Sequence, residues 1–109
     1  MSASASLSTH VLDTQSGRPA SGLRVALHRI ERDRAVPVAE RSTDADGRVR
    51  ELGADLAPGT YRLTFDVGGY FAEHRGIFSV ISVDLVLASG HHHVPLLVSP
   101  FACVSYRGS

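Results

Sequence analysis

Three consecutive histidines, His91, His92 and His93, stand directly before the apolar segment VPLLV, and they are the residues of this chain best suited to chemistry. Successive side chains of a β-strand point to opposite faces. A strand over this run would therefore turn His91 and His93 to one face and His92 to the other. At most two of the three imidazoles could then act together, so a further partner must come from elsewhere in the chain.

Residue types and spacing leave three interpretations of this run open. The rings could be partly exposed side chains at the entrance of a strand, with no chemical role. An H-x-H pair on one strand face could instead chelate a metal, since imidazole is a common zinc ligand. The pair could also serve in acid–base catalysis, because the unperturbed pKa of histidine lies close to physiological pH.

Length and composition indicate one globular domain. The chain has 109 residues, of which 43% are hydrophobic and 20% charged, and these values fit neither a disordered nor a membrane protein. The 11 basic residues are balanced by 11 acidic ones. No broad basic field is therefore available to hold a phosphate backbone, and nucleic acid is not an expected partner.

The expected location is the cytoplasm. Cys103 is the only cysteine, which excludes an intrachain disulfide and favours a reducing compartment. The opening MSASASLSTH lacks the basic start and apolar centre of a signal peptide. No later segment is apolar over the length that a bilayer requires, so we expect no membrane partner.

The elements that must position the histidines are predicted to be strands. Short stretches with alternating or β-branched apolar residues recur along the chain, separated by Gly, Pro, Asp and Ser. These stretches are residues 7–14, 23–30, 36–43, 58–67, 77–87, 94–99 and 102–107. The segment GGYFAEHRG, 68–76, breaks the pattern and has room for one short helix. Closely spaced short strands favour an antiparallel β-sandwich, because a parallel sheet needs longer crossovers.

A turn is predicted at DADGR, residues 44–48, where Asp and Gly provide the local hydrogen bonds and the positive φ that reverse a chain. Arg48 stands at the exit of this turn.

A serine nucleophile is not expected, because no G-x-S-x-G segment is present to expose one at a strand-turn-helix junction. Any hydrolysis is therefore expected to use water directly.

Four segments together resemble the 5-hydroxyisourate hydrolases, also called transthyretin-like proteins. They are LSTHVLDTQSGRPA (7–20), TDADGR (43–48), PGTYRLTFDVGGYF (58–71) and HHHVPLLVSPFACVSYRGS (91–109). The segments occur in the order and spacing of that family. The related hormone carrier, transthyretin, lacks the closing Y-R-G-S, so this ending favours the hydrolases. The resemblance covers residues 7–109, which we expect to form the domain after a short polar extension, 1–6.

The resemblance implies an all-β fold, a transthyretin-like antiparallel β-sandwich of two four-stranded sheets with one short helix. It implies a homotetramer, a dimer of dimers, whose central channel holds the active sites. The implied reaction is hydrolysis of 5-hydroxyisourate to 2-oxo-4-hydroxy-4-carboxy-5-ureidoimidazoline in urate degradation. The family needs neither a cofactor nor a metal for this reaction, so none is expected here.

Matching positions of the family motifs imply the site residues. The implied catalytic residues are His10, Arg48, His93 and Ser109. The implied substrate-binding residues are Tyr106, Arg107, Gly108, His91 and His92. His10 and His93 would share the proton transfers. The guanidinium of Arg48, which is always charged, would stabilise the negative charge that develops on the substrate. Ser109 would act through its hydroxyl or its carboxylate.

The chain also departs from the family pattern at several positions. His92 stands where the family often has tyrosine. Ser79 and Ser82 replace prolines, so the strand that contains them is expected to be looser or longer. His28 and His74 match no catalytic position and are expected to be surface or structural residues. The alternative function is a non-catalytic module, either a transthyretin-like small-molecule carrier or a histidine-rich metal binder.

Overall fold

The structure is a computed structural model that describes residues 3–72 and 76–109. It contains the following elements: β1 Ala5–Asp13, β2 Arg18–Pro19, β3 Arg24–Glu31, β4 Arg34–Ser42, β5 Arg48–Leu56, β6 Gly59–Phe65, α1 Val67–Tyr70, β7 Ile81–Leu87, β8 Gly90–His93, β9 Leu96–Val98 and β10 Cys103–Ser105. Among the residues described, no helix combines the length and the apolar character needed to cross a membrane.

The strands form two sheets. One sheet has the order β4-β3-β6-β7 and is antiparallel throughout. The second is built around β1, with β5 and then β2 along one edge and β8 and then β9 along the other, while β10 pairs with β9. If each of these interrupted pairs counts as one strand, both sheets have four strand positions. The expected sandwich of two four-stranded sheets with one short helix is confirmed.

The expected antiparallel pairing does not hold at one edge of β1, where both β8 and β9 run parallel to it. A parallel neighbour requires a long crossover between the two strands. Here the chain between β1 and β8 makes that crossover by forming the whole of the other sheet. The pairing brings the first strand of the chain beside the histidine run.

Alternation along the strands explains which residues form the core. In β6, Tyr61, Leu63 and Phe65 are buried, whereas Arg62 and Thr64 between them are partly exposed. In β1 the odd-numbered residues from Ala5 to Asp13 are buried against the other sheet. The even-numbered residues of β1 therefore face outward, and this outward face carries the candidate site.

Several boundaries differ from the sequence expectations. β5 was not predicted, because bulges in its pairing with β1 and the left-handed Asp55, with φ 54°, interrupt its alternation. β7 begins at Ile81 rather than at residue 77, so Ser82 lies within the strand and Ser79 before it. β1 begins at Ala5, inside the expected extension 1–6. The division of the chain at residue 7 stays a prediction.

The short helix α1 begins after Asp66, whose carboxylate accepts a hydrogen bond from the backbone N–H of Gly69 at 3.0 Å. It lies at the start of the segment in which the sequence predicted one short helix. His74, expected to be a surface or structural residue, lies outside the described residues. His28 is half-buried in β3, in the sheet that does not contain the histidine run.

Candidate active site

The pairing of three strands assembles the candidate site on the outward face of β1. The parallel register with β8 places His91 beside Ser6 and His93 beside Ser8. The antiparallel register with β5 places Arg48 beside His10. Because residues 6, 8 and 10 share one face of β1, these side chains from both neighbouring strands converge there.

A cavity of about 210 Å³ opens on this face. Its lining residues are Ser8, Thr9, Arg48, Arg50, His91 and His93. His10 lies at the next outward position of β1 after Ser8, and its cross-strand partner Arg48 lines the cavity. The cavity therefore offers imidazole and guanidinium groups to a small polar molecule.

Ser8 lies between the rings of two histidines. Its Oγ is 2.8 Å from Nδ1 of His93 and 2.9 Å from Nε2 of His91. The other nitrogen of the second ring, Nδ1 of His91, is 2.7 Å from Oγ of Ser6. Four side chains thus form one continuous hydrogen-bonded row. His91 and His93 share a face, as the sequence predicted.

The environment of His93 favours the neutral imidazole. Burial lowers the pKa of His93, and the positive charge of Arg48 together with the neighbouring rings of His10 and His91 lowers it further. A neutral ring can accept a proton from water at neutral pH. His10 and Arg48 therefore both act on the His93 ring within a single chain.

The turn before β5 holds Arg48 in place. The carboxylate of Asp44 accepts a hydrogen bond from the backbone N–H of Arg48 at 2.9 Å, and this bond lowers the pKa of Asp44. Gly47 in the same turn has φ 75°, and a Cβ there would come within 2.5 Å of the carbonyl oxygen of Val11. Only glycine fits this close approach, which explains the predicted D-A-D-G-R turn.

The end of the chain reaches His93 through Gly108. The backbone N–H of Gly108 donates to the carbonyl of His93 at 2.7 Å, and the two residues form an isolated bridge. Ser109 follows directly and is exposed. The structure therefore brings Gly108 to His93, while the expected catalytic Ser109 is not among the residues that line the cavity.

The remaining expected site residues lie elsewhere in the single chain. His92 is turned to the opposite side of β8 from its two neighbours, and its Nε2 is 2.9 Å from the carbonyl oxygen of Ala88. Tyr106 and Arg107 line a different cavity, with Val83 and Leu85 of β7. The structure does not bring these three expected substrate-binding residues to the cavity beside His93.

Sequence reasoning missed Ser6, Ser8 and Arg50. The alternation of β1 already places Ser8 on the face of His10, so the signal for it was present. The signal was incomplete because the parallel pairing of β8 with β1, which brings His93 beside Ser8, was not foreseen. Within residues 3–72 and 76–109, no group of three or more His, Cys, Asp or Glu side chains is arranged to hold a metal ion.

A sequence model of the HIUase/Transthyretin family matches residues 7–108. The chain belongs to this family. It is 42% identical over 120 residues to 5-hydroxyisourate hydrolase of Deinococcus radiodurans, with both proteins covered in full. It is also 42% identical to 5-hydroxyisourate hydrolase of Caulobacter vibrioides, over 94% of this chain and 97% of the relative.

Solved structures of the HIUase/Transthyretin family have the same fold. The structure of 5-hydroxyisourate hydrolase from Klebsiella pneumoniae aligns with a TM-score of 0.87 and 36% identity, covering 95% of this chain and 99% of that one. Sea bream transthyretin in complex with thyroxine aligns with a TM-score of 0.88, covering 94% and 93% of the two chains, but with 24% identity. The second likeness shows the fold alone.

Proposed function

We propose that this member of the HIUase/Transthyretin family hydrolyses 5-hydroxyisourate to 2-oxo-4-hydroxy-4-carboxy-5-ureidoimidazoline, a step of urate degradation. The observation that carries the proposal is that Arg48 and His93 line one cavity, while His10 pairs with Arg48 across the strands and acts on the His93 ring. The same chain is 42% identical to a protein named 5-hydroxyisourate hydrolase.

The proposed reaction opens a cyclic amide by addition of water. Neutral His93 takes a proton from the water as its oxygen attacks the carbonyl carbon. Arg48 stabilises the negative charge that develops on the carbonyl oxygen. The C–N bond then breaks, and the leaving nitrogen receives a proton from the imidazoles of His10 and His93, which share the proton transfers.

The C-terminal residues are proposed to orient the substrate. Gly108 packs closely against the His93 ring, and Ser109 follows it directly in the chain. We propose that Ser109 acts on substrate or water through its hydroxyl or carboxylate. For Tyr106, Arg107 and the histidines at 91 and 92, substrate contact stays a proposal.

We also propose a homotetramer with the sites in a central channel. β7 and β10 end their respective sheets in the described part of the chain, and Val86 on β7 and Val104 on β10 are 84% and 55% exposed. Residues of both strands line one cavity, so the two open edges lie side by side. Open, apolar edges favour pairing with a second copy of the chain.

The cytoplasm is the proposed location, because the single cysteine favours a reducing compartment.

A direct assay tests the proposed activity. The protein is mixed with freshly generated 5-hydroxyisourate, with and without a chelator, and the ultraviolet absorbance of the substrate is followed. Rapid decay that is insensitive to chelator supports the proposal. Decay at the rate of buffer alone, by protein shown to be folded, would contradict it and favour a carrier. Loss of activity with chelator would favour a metal site.

Variants connect the activity to the site. His10→Asn, Arg48→Gln and His93→Asn are each expected to lower kcat/KM by about one to several orders of magnitude. His28→Asn is the matched control, because His28 lies in the other sheet. Wild-type rates in all three site variants would place the chemistry elsewhere.

A further inference from the structure

We propose that Ser8 is a positioning residue that sets the tautomer of His93 and connects this ring to His91 as a proton acceptor. The proposal deepens the proposed function and rests on it for its kinetic part. Its basis is the geometry of one hydroxyl within hydrogen-bond distance of two imidazoles, 2.8 Å from Nδ1 of His93 and 2.9 Å from Nε2 of His91.

The number of available protons links the tautomer of His93 to that of His91. A serine hydroxyl has one proton to donate, and each neutral imidazole has one N–H and one bare nitrogen. When both rings are neutral and Ser8 donates to one of them, the other must donate to Ser8. If His93 donates from Nδ1, its Nε2 carries the lone pair that a general base needs. Ser8 then donates to Nε2 of His91, whose Nδ1–H donates to Ser6.

This row of hydrogen bonds offers a path for the proton taken from water. As Nε2 of His93 accepts that proton, the proton on Nδ1 moves to Oγ of Ser8. The hydroxyl proton of Ser8 moves to Nε2 of His91, and the charge is then carried by the imidazolium of His91. Ser6 accepts from Nδ1 of His91 and lies at the more exposed end of the row. Running the same steps in reverse returns the proton to His93 for the leaving nitrogen.

The surroundings explain why the positive charge would leave His93. Arg48 on β5 and His10 on β1 both act on the His93 ring, and Arg48 lines the same cavity as His93. His91 is exposed, whereas His93 is half-buried. Transfer to His91 therefore moves a proton away from the Arg48 guanidinium and towards water, which lowers the energy of the charged state.

Ser8 is itself held firmly enough for this role. It is 8% exposed, and it lies in β1 between the strands β5 and β8. Its backbone carbonyl accepts a hydrogen bond from the N–H of Val94 at 3.0 Å. The hydroxyl is thus presented to both rings by a strand that is paired on either side.

Nitrogen-15 NMR of the full-length protein tests the tautomer without using substrate. In the wild type, the neutral His93 ring is expected to carry its proton on Nδ1. In Ser8→Ala, the proton is expected to move to Nε2, and Ser8→Thr is expected to restore the wild-type spectrum because it restores the hydroxyl. Ser42→Ala is the matched control, since Ser42 is an exposed strand serine in the other sheet.

Kinetics test the consequence for the reaction. Ser8→Ala is expected to lower kcat by about tenfold to a hundredfold while KM changes by less than about threefold, and Ser8→Thr is expected to recover most of the loss. If Ser8→Ala does not fold, Ser8→Cys takes its place, because a thiol is similar in size but a weak donor and acceptor.

The two readouts separate the proposals. A tautomer that depends on Ser8 in a protein inactive on 5-hydroxyisourate would support the positioning role and contradict the proposed function. If the wild type is active but the Ser8→Ala variant keeps both the His93 tautomer and the wild-type kcat, the positioning role of Ser8 is overturned and the proposed function stands. Failure of Ser8→Thr to restore either property would also overturn it.

Discussion

The imidazole of His93 packs directly against the backbone of Gly108. A Cβ built on Gly108 would lie 2.6 Å from Cδ2 of the ring and 3.3 Å from the backbone carbonyl oxygen of His93. Real Cβ atoms do not approach other heavy atoms so closely, so a side chain at position 108 must displace the ring or the chain end. This contact gives the glycine of the closing Y-R-G-S a physical reason.

Gly108→Ala is expected to lower kcat/KM by about tenfold or more, because the added methyl group moves the His93 ring by a fraction of an ångström. Stability is expected to change little, since Gly108 lies outside the named strands and is only partly buried. Gly17→Ala is the control, and it is expected to have the reverse effect: a loss of stability with no loss of turnover. Gly17 has open space around it but φ 75°, so this change should cost about 1–2 kcal/mol of stability without affecting turnover. Steady-state kinetics and urea unfolding measure both effects, and a fully active Gly108→Ala enzyme would contradict the packing argument.

Arg48→Gln is expected to move the acid limb of the pH–activity profile to higher pH. After burial, the charge of Arg48 is the largest cause of the lowered pKa of His93. Removing it raises this pKa, so at any pH in the titration range a smaller fraction of His93 is neutral and able to accept a proton. The profile of kcat/KM against pH and an NMR titration of His93 provide the measurement.

Arg50→Gln is the matched control for that shift. Arg50 lines the same cavity, but it is not among the groups that lower the pKa of His93. The His93 titration should therefore stay at the wild-type position in this variant. Identical titrations in Arg48→Gln and the wild type would show that Arg48 does not act on the ring.

Thr9→Val is expected to destabilise the fold. The Thr9 hydroxyl donates to the carbonyl of Val94 at 2.6 Å within the core, at the point where β8 ends. Valine has the same shape but leaves that buried carbonyl without its partner, which costs about 1–3 kcal/mol. Urea unfolding at a fixed protein concentration measures the change. Thr14→Val, whose bond to Val98 is 3.1 Å long and only partly buried, should cost less, and the reverse order would contradict the argument.

Val86→Glu is expected to dissociate the proposed tetramer. Val86 is 84% exposed on β7, an open edge of its sheet, and a charge there opposes pairing with a second copy. Sedimentation velocity should show smaller species than the wild type. Val38→Glu, at 40% exposure on the opposite edge strand β4, should keep the wild-type state. A monomeric wild type would refute the assembly itself.

The sequence by itself determined the strands with regular alternation and the family of the chain. Tyr61, Leu63 and Phe65 alternate with polar residues, and this local period depends only on neighbours along the chain. The same rule separated His92 from His91 and His93. Motifs of this kind are local, so they can be recognised without knowing which strands become neighbours.

Tertiary structure alone decided which strands lie beside β1. The parallel pairing with β8 joins Ser8 to His93, residues 85 positions apart, and the pairing with β5 joins His10 to Arg48. No local pattern specifies such contacts, because strand order and direction follow from how the whole chain covers its apolar faces. The bulged β5, the row of hydrogen bonds through Ser8 and the contact between Gly108 and His93 arise only when the two sheets have formed.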